Sequence, residues 1–181
     1  MPKFILIGHK SRQGKDTFAE FLSEYLENSK ITRFADPMKE ILASTFGINE
    51  ETLENLKNNP EIKIQDTSNT IPNLSFRDII INFGNKKIKE IFGEFVWANL
   101  LYKRYEKSSY DYIIVPDFRF PIEYKEHAIT VKVQRKQVIP DNEADIALNN
   151  FNFDYYIDNN GDLNSLKEKA EKFSKKLLTK F

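Results

Sequence analysis

The chain has 181 residues, 40% of them hydrophobic, and its 27 basic side chains are balanced by 27 acidic ones. It is long enough for one domain with its own core, and too evenly charged to hold a polynucleotide or an anionic membrane through a global field. With no cysteine, disulfides, thiolate zinc sites and cysteine nucleophiles are excluded, and His9 and His127 alone do not complete a zinc cage. The N-terminal apolar run Phe4–Ile7 is too short for a leader or a membrane span, so a cytoplasmic location is expected.

In chain order, Phe4–Ile7 reads as a buried strand, and Gly8 to Thr17 as a glycine-bounded basic loop. Phe18, Phe21, Leu22, Tyr25 and Leu26 follow at helical spacing. Ile31–Phe34 reads as a second strand. The next strand-like run is Tyr112–Val115, and helices are expected between, at Pro37–Phe46, Glu50–Asn58, Ser75–Gly84 and Ile91–Glu106. Asn58-Asn59-Pro60 and Thr67–Asn73 read as loops. Ile129–Val133 and Tyr155–Ile157 complete the strands, and Leu163–Leu178 places Leu166, Ala170, Phe173 and Leu177 on one stripe of a last helix. Nearly continuous apolar strands separated by helices predict an α/β fold of three layers, with about five parallel strands covered on both faces. The predicted core is 1–36 with 109–181, and a helical insertion occupies about 37–108.

A strand, a glycine-bounded loop and a helix in that order make a phosphate cradle. Gly8 and Gly14 allow a tight curl, so the amides of Lys10, Ser11, Arg12 and Gln13 converge on an anion, and Lys15 adds a positive charge. Five residues separate the glycines, one more than the common spacing, and Asp16 stands where Ser or Thr normally reaches Mg²⁺. Asp117, at the carboxyl end of a predicted strand, is the expected Mg²⁺-organising carboxylate, with Asp16 and Thr17 as the other metal candidates. The alternative for Asp117 is a turn or cap residue before Pro121.

The residues after Asp117 are Phe118 and Arg119, which offer nothing to orient a water but do offer a cation for an anionic acceptor. A phosphate monoester, with its second pKa near ~6, is already dianionic at neutral pH and needs no strong base. Arginine suits its clamp, and Arg33, Arg77 and Arg135 lie near element ends or in the insertion. Arg135 is the candidate on the donor-nucleotide side. Arg33, Asp36, Lys39, Arg77, Trp97, Arg119 and Glu123 are the candidate acceptor contacts. Two readings stay open at Trp97, core of the helical layer or platform for a base, and Asp36 also fits an ordinary helix start before Pro37. Asn85-Lys86-Lys87-Ile88 lacks the carboxylate of a guanine-reading box, which disfavours a GTPase.

Gly14-Lys-Asp-Thr17, Arg33-Phe-Ala-Asp-Pro-Met-Lys39, the block from Arg77 through Phe83-Gly84 and Phe92-Gly93 to Val96-Trp97, Asp117-Phe-Arg119-Phe-Pro-Ile-Glu123 and Asp154 to Gly161 form an ordered set. Together they resemble the phage-type deoxynucleoside monophosphate kinases. The resemblance implies a P-loop kinase fold, ATP and Mg²⁺ as cofactors, and a deoxynucleoside monophosphate as acceptor. It implies that Lys15 and Thr17 serve ATP and Mg²⁺ with Asp117 behind the metal, and that Arg77 and Arg119 hold the acceptor, in a monomer or homodimer. Phosphomevalonate kinases share the Gly-Lys-Asp loop, so that acceptor class stays open, as does a regulatory P-loop ATPase.

Overall fold

The computed structural model describes residues 1–63, 74–136 and 143–180. The loop expected at Thr67–Asn73 lies outside the described residues. The chain falls into two compact units, Met1–Phe34 with Tyr102–Phe181, and Ala35–Leu101.

The first unit is built on five strands, β1 (Lys3–Gly8), β2 (Ser29–Ile31), β3 (Tyr112–Phe118), β4 (Ile129–Gln134) and β5 (Tyr155–Asp158), ordered β2-β3-β1-β4-β5. Every pairing is parallel. The strands read as unbroken apolar runs because side chains on both faces are buried. Ile5, Ile7, Tyr112, Ile114, Val131 and Val133 join one cluster with Phe18, Ala19 and Leu22 of helix α1 (Lys15–Tyr25) and with Leu166, Ala170, Phe173 and Leu177 of α8 (Leu163–Lys180). The intervening Phe4 meets Tyr102 edge-on, and Phe118 meets Phe151 and Phe153. Fully buried side chains such as Phe18 and Ile114 each contribute roughly 1.5–3 kcal/mol of transfer free energy. β1 is central, and the chain order reverses around it, with β3 on one side and β4 on the other. Loops leaving its carboxyl end therefore open at a topological switch point, where open parallel sheets bind ligands.

The second strand lies earlier than Ile31–Phe34. Its pairs are Ser29 with Tyr112 through Ile31 with Ile114, and the Thr32 amide makes the last bond to the Ile114 carbonyl. Phe34 turns out of the ladder: its amide goes to the Asp117 carboxylate and its ring packs on Tyr102.

The second unit is helical: α2 (Asp36–Phe46), α3 (Glu50–Asn58), α4 (Phe76–Ile79), a π-helical stretch (Ile80–Lys87), α5 (Ile88–Phe92) and the start of α6 (Val96–Tyr105). Ser75 and Asp78 form a reciprocal cap at the start of α4. From there the helical path runs past the expected end at Gly84 to Phe92, and its wide turn matches a close approach. A Cβ on Gly84 would lie 1.6 Å from the Met38 sulfur, and the Gly84 carbonyl accepts the Trp97 indole N–H at 2.9 Å. The single helix expected at Ile91–Glu106 is two, because Gly93, at φ +91°, ends α5. No helix among the described residues is long and apolar enough to cross a membrane.

Candidate functional site

The loop between β1 and α1 closes on itself. Lys15, only 5% exposed, donates its Nζ to the Lys10 carbonyl. Burial, then the Arg119 charge, push its ammonium down to about 8, while Asp16, Asp145 and Asp117 act the other way. Gly14 caps α1 in the left-handed region at φ +86°, so the first amides of an 11-residue helix face the loop. His9 and Arg12 also have positive φ, which gives the curl of a backbone anion nest.

Two braces fix the loop from the carboxyl ends of β4 and β5. Gln13 accepts the Arg135 amide on its side-chain oxygen, and the Asn159 amide donates to the Gln13 carbonyl at 2.9 Å. Gln13 and Asn159 are both almost fully buried. Arg135 Nε donates to the Asn159 carbonyl at 3.0 Å, and the guanidinium lines a cleft of about 380 Å³ together with Arg12, Asp16, Thr17, Asn159 and Gly161. That volume falls in the range of small-ligand sites. A larger cleft of about 560 Å³ opens at the opposite, amino-terminal edge beside Lys3 and Tyr112, without a comparable set of donors.

The β3 end contributes the other groups. Asp117 accepts the Phe34 amide at 2.9 Å and lies near enough to influence Lys15. Arg119 Nη1 lies 3.1 Å from the Ser11 hydroxyl and 3.4 Å from Asp145 Oδ1, and its Nε and Nη2 make no hydrogen bond or ion pair with described residues. Glu123 receives the Arg119 and Phe120 amides on one oxygen, so it shapes the turn that presents Arg119. Arg33 pairs with Asp16 at 2.8 Å. Asp145 is the participant that sequence patterns do not single out, and Asn159, inside the block Asp154 to Gly161, carries no role there. Asp145 meets Ser11 across 134 residues, a contact that no local spacing signals.

The site contains the hard oxygen donors that Mg²⁺ prefers, on Thr17, Asp16 and Asp117. The Thr17 hydroxyl makes no hydrogen bond to a described residue and lines the cleft beside Arg135. No three His, Asp or Glu side chains among the described residues converge as a metal cage. Mg²⁺ held by one or two carboxylates and substrate phosphates needs none, and the residues fit it.

The remaining candidates belong to the second unit. Asp36 opens α2, Lys39 pairs with Glu54 at 2.9 Å, and Arg77 is exposed on α4. Trp97, 7% exposed, sits in that unit's core with Met38, Leu42 and Leu53.

His9 gives a direct test of the loop's electrostatics. Burial, followed by the charges of Lys132 and Lys10, lowers its imidazole to about 4, against a hydrogen bond with Asn149, and its buried Nδ1 has no hydrogen-bond partner among the described residues. An unfolded histidine titrates near 6.5, so below that pH the unfolded chain takes up the proton first. Stability from neutral His9 is complete above about 6.5 and is lost as pH falls towards 4. In His9→Asn, which tolerates the left-handed backbone, the urea midpoint should fall less between pH 7.5 and 5 than in the wild type. Equal losses would contradict this account. The chain matches no protein-family model and no curated protein.

Proposed function

We propose that this chain is a P-loop nucleotide kinase that transfers the γ-phosphoryl group of ATP to a deoxynucleoside monophosphate. The observation that carries the reading is one arrangement at the carboxyl edge of β1. A lysine is folded over an amide-lined loop, and an arginine touching that loop keeps Nε and Nη2 without a hydrogen-bond partner among the described residues. A polyphosphate would lie in the loop against Lys15 and the α1 amides, with its nucleoside in the cleft beside Arg135 and Asn159. Arg119 would neutralise the second anion, the acceptor phosphate, as it approaches the terminal phosphoryl group. The acceptor oxygen is already ionised, so the work is positional and electrostatic. Thr17 and Asp117, with Asp16, would hold Mg²⁺, which supplies charge neutralisation between the phosphates. The deoxynucleotide acceptor rests on the resemblance of the five sequence blocks.

The test is ADP release from MgATP with a panel of ribo- and deoxynucleoside monophosphates and phosphomevalonate. Stimulation by at least one deoxynucleoside monophosphate, well above hydrolysis without acceptor, is expected. Stimulation by phosphomevalonate alone would reassign the acceptor, and acceptor-independent hydrolysis of equal rate would make the chain an ATPase.

A further inference from the structure

Asp145 lies in the four-residue helix α7 (Glu143–Ile146) and is 1% exposed. A carboxylate removed from water to that degree is tolerated only with hydrogen bonds and an opposite charge. Its Oδ1 has both. It accepts the Ser11 amide at 2.7 Å and the Ser11 hydroxyl at 2.8 Å, and it faces Arg119 Nη1 at 3.4 Å. The Ser11 hydroxyl donates to Asp145 while accepting from the same Nη1 at 3.1 Å, so acid, loop and guanidinium form one connected unit.

Two consequences follow from this connectivity. The Ser11 amide is spent on a carboxylate, so the extra length of the loop is tied down there instead of being left to fold into the phosphate cradle. Arg119 is held by one nitrogen only, and the donors on Nε and Nη2 stay unpartnered among the described residues. A guanidinium pinned by Nη1 loses rotational freedom before any ligand arrives and keeps a two-donor edge matched to a phosphate.

We propose that Asp145 is a positioning residue, which anchors the lengthened loop at Ser11 and orients Arg119 so that its Nε and Nη2 edge receives the acceptor phosphate. The role in turnover rests on the phosphotransfer reading above, whereas the latch itself is a property of the unliganded chain.

The experiment therefore has two arms. In the first, ¹⁵N spectra of the arginine side chains follow Arg119, assigned by its loss in Arg119→Lys, with no ligand present. Hindered rotation should separate its two Nη signals in the wild type, and Asp145→Asn should merge them. Ser11→Ala, which removes the bridging hydroxyl while the Asp145 carboxylate keeps the position-11 amide and Arg119, should do the same if Asp145→Asn fails to fold. Signals unmoved by either variant would overturn the proposal. In the second arm, Asp145→Asn should lower kcat with the best nucleotide acceptor by roughly tenfold or more while the KM for ATP shifts less than about threefold. In an Arg119→Lys background the same substitution should cost less than about threefold, because its target is already gone. An undiminished loss in that background would mean that Asp145 acts only on folding, and the positioning role would be wrong. A wild-type protein with separated Nη signals and no transfer to any acceptor would overturn the phosphotransfer reading and leave the latch standing.

Discussion

Replacing Lys15 with methionine should reduce phosphoryl transfer by about 10³-fold and leave the fold intact. Methionine has nearly the length of lysine, so the buried stem position stays filled and the cost of burying an ammonium disappears. What is lost is the one buried cation of the loop and its bond to the Lys10 carbonyl. The charge is already under tension, since burial and Arg119 together hold its pKa near 8. In the proposed reaction a polyphosphate would relieve that tension by supplying the missing negative charge, and the interaction would strengthen as phosphoryl charge develops. The expected pattern is an unchanged or slightly raised thermal midpoint with transfer at the limit of detection. Near-wild-type turnover in a folded Lys15→Met protein would remove Lys15 from the chemistry, and with it the main support for a phosphate-binding loop.

How much of this was visible in the sequence varies by physical cause. β1, β3, β4 and β5 lie where apolar runs place them, because a strand buried on both faces writes its position directly into composition. β2 does not. Ile31 and Phe34 are both apolar for different reasons, one as the last paired residue of a strand and the other as a ring packed on Tyr102 after the chain has left the ladder. The π-helical stretch is equally silent, since an ordinary helical period describes Ile80–Lys87 as well, and only the Met38 contact at Gly84 shows why the turn widens. At the site, Gly8, Gly14 and Lys15 announce themselves through local spacing. Asp145 and Asn159 reach the loop from distant positions, and their partners are a backbone amide and a backbone carbonyl, which any residue supplies. Such contacts leave no pattern to read in a single sequence.

Gly14→Ala should destabilise the protein and abolish nucleotide binding together, for two separable reasons. A residue with a Cβ pays about 1–2 kcal/mol for the left-handed conformation that Gly14 adopts at φ +86°. The new methyl would also stand 2.3 Å from the Asn159 side-chain nitrogen. Asn159 cannot simply step aside, because it is buried and its amide satisfies the Gln13 carbonyl, while its own carbonyl holds Arg135. Losing that buried bond costs about 1–3 kcal/mol more, so a total near 2–5 kcal/mol is expected. At roughly 2–4 °C per kcal/mol for a chain of this size, the thermal midpoint should drop by about 4–20 °C. ATP binding should weaken by about 100-fold or more, since the helix amides move off their common focus. The Asn159→Ala variant separates the two causes. If the clash with the amide accounts for much of the damage, Gly14→Ala combined with Asn159→Ala should be little less stable than Gly14→Ala alone, with the left-handed strain still present. Fully additive losses would show that Asn159 is not what excludes a side chain at position 14, and the brace between β5 and the loop would have to be abandoned.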